Sequence, residues 1–87
     1  RDWKLEAVDL MKNGRIREAR VKIIENGDNH EETFRWMYDN LNIWSATPEG
    51  QDEAILVIRK GLVNHSLVAD PEINLSATIV ELTQIEQ

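Results

Sequence analysis

Cysteine is absent from the 87 residues, which excludes disulfides and thiolate metal sites and leaves packing alone to hold the fold. That absence suits a cytoplasmic protein. Long apolar runs are missing too: no stretch approaches the roughly 18 residues that a membrane span requires, so no membrane partner is expected. The four glycines are scattered at 14, 27, 50 and 61, and no glycine-rich phosphate loop can be drawn through them. Positive charge is missing from the C-terminal part, where no Lys or Arg follows Lys60. Residues 1–22 hold seven of the ten cations (Arg1, Lys4, Lys12, Arg15, Arg17, Arg20, Lys22) against Asp2, Glu6, Asp9 and Glu18, a net +3, so the other 65 residues must carry −9 to give the total of −6. An acidic half repels phosphate backbones, which confines any nucleic-acid contact to the first two helical segments. There is no basic-then-apolar leader and the chain starts at Arg1, so a fragment of a longer protein is expected.

What is present reads as one small globular domain over residues 1–87. Hydrophobic residues make up 41% and charged residues 30%, and a chain this long buries only about 60–65% of the surface its unfolded form exposes. Apolar residues recur at three- and four-residue spacing and strict alternation is scarce, so the fold class is all-α. The punctuation divides it into five helices. Asp2 can cap a helix carrying Trp3, Ala7, Leu10 and Met11, which Asn13-Gly14 stops by offering a left-handed residue. A second helix carries Ile16, Ala19, Ile23 and Ile24, and the spacing predicts the same ending at Asn26-Gly27. Asn29 with Glu32 has the form of a capping box and opens a third helix with Phe34, Met37, Tyr38 and Leu41 on one face. Thr47-Pro48 and Asp70-Pro71-Glu72 place a capping oxygen before a proline at the first helical position. They predict helix four over about 48–68 and helix five over about 71–85.

Chemistry is hard to assemble from these residues. His30-Glu31-Glu32 would need a second histidine at 34 for a zinc helix, and Phe34 stands there. His65 sits among apolar residues, the environment of a neutral interior histidine. Ser45, Ser66 and Ser76 join no Ser/His/Asp set, and the glycosylation patterns at Asn64-His65-Ser66 and Asn74-Leu75-Ser76 fall inside predicted helices. No catalytic, metal or cofactor residue is therefore assigned. Lys12, Arg15, Arg17, Arg20 and Lys22 remain as a candidate phosphate or nucleic-acid contact of a small DNA-binding module, although they ring the helix rather than lining one stripe.

The last two helices have too much apolar surface. At 100° per residue, Ala54, Val57, Ile58, Gly61, His65 and Val68 share one face of helix four, Leu56, Val63 and Leu67 lie opposite, and Ile55 and Leu62 fill the flank. Helix five sets Ile73, Ala77 and Val80 on one side and Leu75, Ile79 and Leu82 on another. A helix apolar all round is buried all round, and a bundle this small can hardly surround two. A face of helix five, with part of helix four, is therefore expected to be covered by another chain, either in an assembly or through docking of an unrelated partner.

The order of segments resembles a known family. Asn13-Gly14-Arg15-Ile16-Arg17-Glu18-Ala19-Arg20 is similar to the turn and helix that open the C-terminal collar domain of sliding-clamp loader subunits of the replication factor C type. Glu31-Glu32-Thr33-Phe34-Arg35-Trp36-Met37-Tyr38 looks like that domain's next helix, and Val68-Ala69-Asp70-Pro71-Glu72-Ile73-Asn74-Leu75-Ser76-Ala77 like the link between its final two. The likeness spans roughly residues 13–86 and is closest to the loaders of T4-like bacteriophages. It implies a non-catalytic oligomerisation domain, a five-helix collar that holds a ring of ATPase modules together during clamp loading in DNA replication, in a bacterial host's cytoplasm. Other clamp-loader subunits would be its partners. ATP, Mg²⁺, the sliding clamp and primed DNA would be met by the ATPase modules, none of whose motifs occurs here. For that role the expected anchors between subunits are Leu75, Ile79 and Leu82, with Trp36 and Ile43 as second candidates.

Overall fold

The computed structural model describes residues 2–86 and contains five α-helices and no strand among them. α1 (Trp3–Lys12) starts where the Asp2 carboxylate accepts from the Lys4 N–H at 2.9 Å. It ends at Gly14, whose φ of +75° is the left-handed conformation expected. The Gly14 N–H donates to the Met11 carbonyl and the Arg15 N–H to that of Leu10, at 3.0 and 2.8 Å, a Schellman closure that folds α2 (Ile16–Asn26) back on α1. Lys22 Nζ reaches Glu6 at 3.1 Å across this hairpin.

Gly27 ends α2 by a different device. Its φ is −86°, open to any residue, but a Cβ there would lie 2.7 Å from Thr33 Oγ1 and 2.8 Å from the Ile23 carbonyl. Glycine is needed for the closeness of α3 (His30–Asp39), not for a left-handed turn. The Asn29 side chain caps α3 by accepting from the Glu32 N–H at 3.1 Å. Leu41 falls beyond α3, in a single 3-10 turn at Leu41–Ile43, and Tyr38 points outward against the Arg35 guanidinium, 5.3 Å from its ring centroid. The predicted third-helix face therefore holds for Phe34 and Met37 only.

The 3-10 turn carries Trp44 back beneath α3, where its indole N–H donates to the Met37 carbonyl at 3.2 Å. Trp36 lies between Trp44 and Trp3, with ring centroids 6.4 and 5.3 Å away and edges against faces. Both sides of α3 are thus covered by the chain itself. Ser45 is fully buried: its hydroxyl bonds the Glu86 carbonyl and accepts from the Thr47 N–H, both at 3.2 Å, so it fastens the start of α4 to the C-terminal end.

α4 (Pro48–His65) and α5 (Pro71–Thr83) begin at the predicted prolines, capped by Thr47 and Asp70. Both stop short of their expected ends. α4 turns Gly50, Ala54, Ile58 and Gly61 inward, and these small residues let its neighbours approach its axis. Beside Gly61, Asn74 Nδ2 donates to the Gly61 carbonyl and the Thr78 hydroxyl to the Asn74 carbonyl, each at 2.9 Å. A Cβ at 61 would lie 2.4 Å from Thr78 Oγ1 and 2.8 Å from Phe34 Cε1. Gly61→Ala is expected to lower stability by about 1–2 kcal/mol, since the overpacking outweighs the gain in helix propensity. Urea denaturation should show that loss, and adding Thr78→Ala should recover part of it.

Candidate interaction surface

The core is filled by Ala7, Ile23, Phe34, Met37, Trp44, Ala54 and Ile58, together with Leu75, Ile79 and Leu82 of α5. The last three are 1%, 1% and 0% exposed, which corrects their expected place on a subunit surface. Trp36 is likewise interior. Ile43 is half-buried. α5 has two apolar sides, and close approach at Gly61 decides between them by drawing Thr78 and its neighbours inward. The side carrying Ile73 and Ala77 is left outside. α4 is not buried all round within one chain either. Leu56, Val63 and Leu67 stand out, with Leu67 77% exposed.

These outward residues belong to one face. Lys60 lies on the same side of α4 as Leu56 and Val63, about one turn from each, with Leu67 just beyond the helix's end, and its ammonium pairs with Glu81 of α5 at 2.5 Å. Glu81 neighbours Ala77 on α5, so the salt bridge places the outer sides of α4 and α5 together. A shallow depression of about 400 Å³ whose border includes Glu53, Leu56, Arg59, Lys60 and Val63 runs along that side. Val68 and Ile73, 36% and 67% exposed, continue the apolar band through the α4–α5 connection.

Compared with protein-family models, curated proteins and solved structures, the chain matches none. Its function has to be read from its own surface.

A second apolar area lies elsewhere on the molecule. Between α1, the 3-10 turn and α5 runs a groove of about 660 Å³ lined by Leu5, Val8, Met11, Ile16, Ile43 and Trp44, with Lys12, among the described residues, as the one charged side chain at its wall. Leu5 stands 59% exposed at the rim.

The basic residues of the first two helices do not form a positive track. Arg15 makes a two-pronged salt bridge with Glu18, and its hydrogen bonds hold the Glu18 carboxyl below its ordinary range. Lys22 is paired with Glu6. The depression between α1 and α2 is walled by Glu6, Asp9, Glu18 and Glu25 as well as by Arg15, Arg17 and Lys22. A duplex phosphate there would meet more carboxylates than cations.

His65, at the end of α4, lies edge-on to His30, with centroids 5.2 Å apart, and beside Phe34 at 6.1 Å. Its Nδ1 is buried without a hydrogen-bond partner. Asp28, Asn29 and Glu31 border the same hollow, yet no three histidine or carboxylate side chains among the described residues gather at metal-binding distance. The glycines offer no phosphate cradle. Gly14 closes α1, and Gly27, Gly50 and Gly61 are packed against Thr33, Ser45 and Thr78, so none of them forms a phosphate-binding loop.

Proposed function

We propose that this chain is a non-catalytic oligomerisation domain, the collar of a sliding-clamp loader subunit, which holds a ring of ATPase modules together during clamp loading in DNA replication. One observation carries the reading. A bundle whose interior is already full still presents Leu56, Val63, Leu67, Val68 and Ile73 to solvent along one side, and a contiguous apolar band of that kind marks a place where another protein sits. The order of the three family-like segments, now seen as the α1–α2 turn, α3 and the α4–α5 link, supports the more specific identity. In this reading the chain performs no chemistry. ATP and Mg²⁺ serve the ATPase modules, and primed DNA and the clamp are met through them.

The test is sedimentation of the full-length subunit with and without these residues. The intact protein should run as a ring assembly with its partner subunits and the truncated protein as separate subunits. A ring that survives the deletion would defeat the proposal. The competing DNA-binding reading predicts an affinity that falls steeply with salt. The paired state of Arg15 and Lys22 leads us to expect no such binding by the chain alone.

A further inference from the structure

We propose that Asn13 is a site of spontaneous deamidation, a modification that accumulates with age and loosens the α1–α2 hairpin, and that the fold protects the identical dipeptide at Asn26-Gly27 from it. Asn13 and Asn26 are the only asparagines that precede glycine. A glycine has no Cβ to keep its backbone nitrogen away from the preceding side-chain amide. The other asparagines are followed by His, Leu or Ile, whose side chains crowd that approach.

The step needs no enzyme. The Gly14 nitrogen gives its proton to solvent base and bonds to Asn13 Cγ, the Cγ–Nδ2 bond breaks, and the amide nitrogen leaves as ammonia. Water then opens the cyclic imide at either of its carbonyls. Opening at Cγ restores the ordinary backbone with an aspartate at 13. Opening at the backbone carbonyl leaves the chain running through Cγ, an isoaspartate. One water is consumed for each ammonia released, and nothing is oxidised or reduced.

In the folded chain the attacking nitrogen must first be freed, and the two sites differ in what that opening disturbs. Asn13 and Gly14 are both exposed, just past the end of α1, and nothing lies within 4 Å of the space a Gly14 Cβ would take. The Gly14 N–H is held by the Met11 carbonyl at 3.0 Å, and opening this turn displaces no side chain packed above it. Gly27, in contrast, is buried. Its N–H donates to the Ile23 carbonyl at 2.8 Å, and Thr33 of α3 closes over it. Freeing that nitrogen lifts α3 from α2, an opening that draws on the stability of the bundle rather than of one exposed turn.

The change falls on the closure of α1. Asn13 Nδ2 donates to the Asp9 carbonyl at 2.9 Å. A carboxylate cannot donate there, and it adds negative charge at the negative end of the helix dipole. Isoaspartate also lengthens the backbone just where the Gly14 and Arg15 N–H groups reach back to Met11 and Leu10, which removes the Schellman closure.

Peptide mapping by mass spectrometry tests it. The chain is held in mildly alkaline buffer, folded or in guanidinium chloride, and conversion at 13 and 26 is followed by the mass gained when an amide becomes an acid. In denaturant the two sites should convert at similar rates. In the folded chain Asn13 should convert at least about tenfold faster than Asn26. The aged parent should melt at a lower temperature than fresh protein, whereas Asn13→Gln, whose longer side chain closes the ring poorly, should keep its melting temperature through the same incubation. Equal rates at the two sites in the folded chain overturn the proposal. So does an unchanged ratio in denaturant, which would assign the difference to neighbouring residues instead of the fold. An aged parent that melts as fresh protein does would remove the effect on the hairpin.

Discussion

Ile79→Glu should leave the chain largely unfolded, with helical circular dichroism lost at room temperature rather than at the end of a thermal scan. Ile79 is 1% exposed and packs with Leu75, Leu82 and Ile85 in the core cluster. Losing its buried hydrocarbon costs about 1.5–3 kcal/mol, and an unpaired carboxylate in its place adds several more, or takes up a proton at comparable expense. Against a total stability of roughly 4–13 kcal/mol for a domain of this length, the change exceeds what the fold can absorb. Leu67→Glu is the matched control: the same charge at a residue 77% exposed should alter stability by no more than about 0.5 kcal/mol. If Ile79→Glu stayed folded and lost only association, the inward placement of this side of α5 would be wrong.

That pair of substitutions marks where sequence reasoning succeeds and where it stops. Helix starts were legible because each depends on side chains within a few residues: Asp2, Asn29, Thr47 and Asp70 all accept from backbone N–H groups of the turn they open. The excess of apolar surface was legible too, as a count of faces against available interior. Which face of α5 turns inward was not, because periodicity reports that Leu75, Ile79 and Leu82 share a side without reporting what meets that side. The deciding contact, Thr78 against the bare backbone of Gly61, joins two helices and is invisible in either alone. Gly27 was misread for a related reason. It looks like Gly14 in sequence, but its requirement comes from Thr33 above it, a tertiary neighbour. Trp36 illustrates the same limit. It projects away from the Phe34 side of α3, and only the return of Trp44 through the 3-10 turn and the arrival of Trp3 from α1 bury it.

Trp44→Ala is expected to be the most damaging truncation in the chain, with a loss of about 3–5 kcal/mol read from urea denaturation. The indole is 1% exposed and is the largest of the fully buried side chains, and its removal opens a cavity under α3 bounded by Trp36 and the groove. Trp44→Phe separates the two contributions. It keeps much of the volume but deletes the N–H that bonds Met37, so a loss nearer 1–2 kcal/mol should remain. Near-ultraviolet circular dichroism should report the disruption directly, since Trp3, Trp36 and Trp44 form one run of edge-to-face rings. The same side chain lines the apolar groove beside Ile43, so the cavity left by Trp44→Ala opens into that groove and its loss should exceed that of Trp44→Phe by at least about 1 kcal/mol. Equal losses by the two variants would mean that the indole's volume does not matter there.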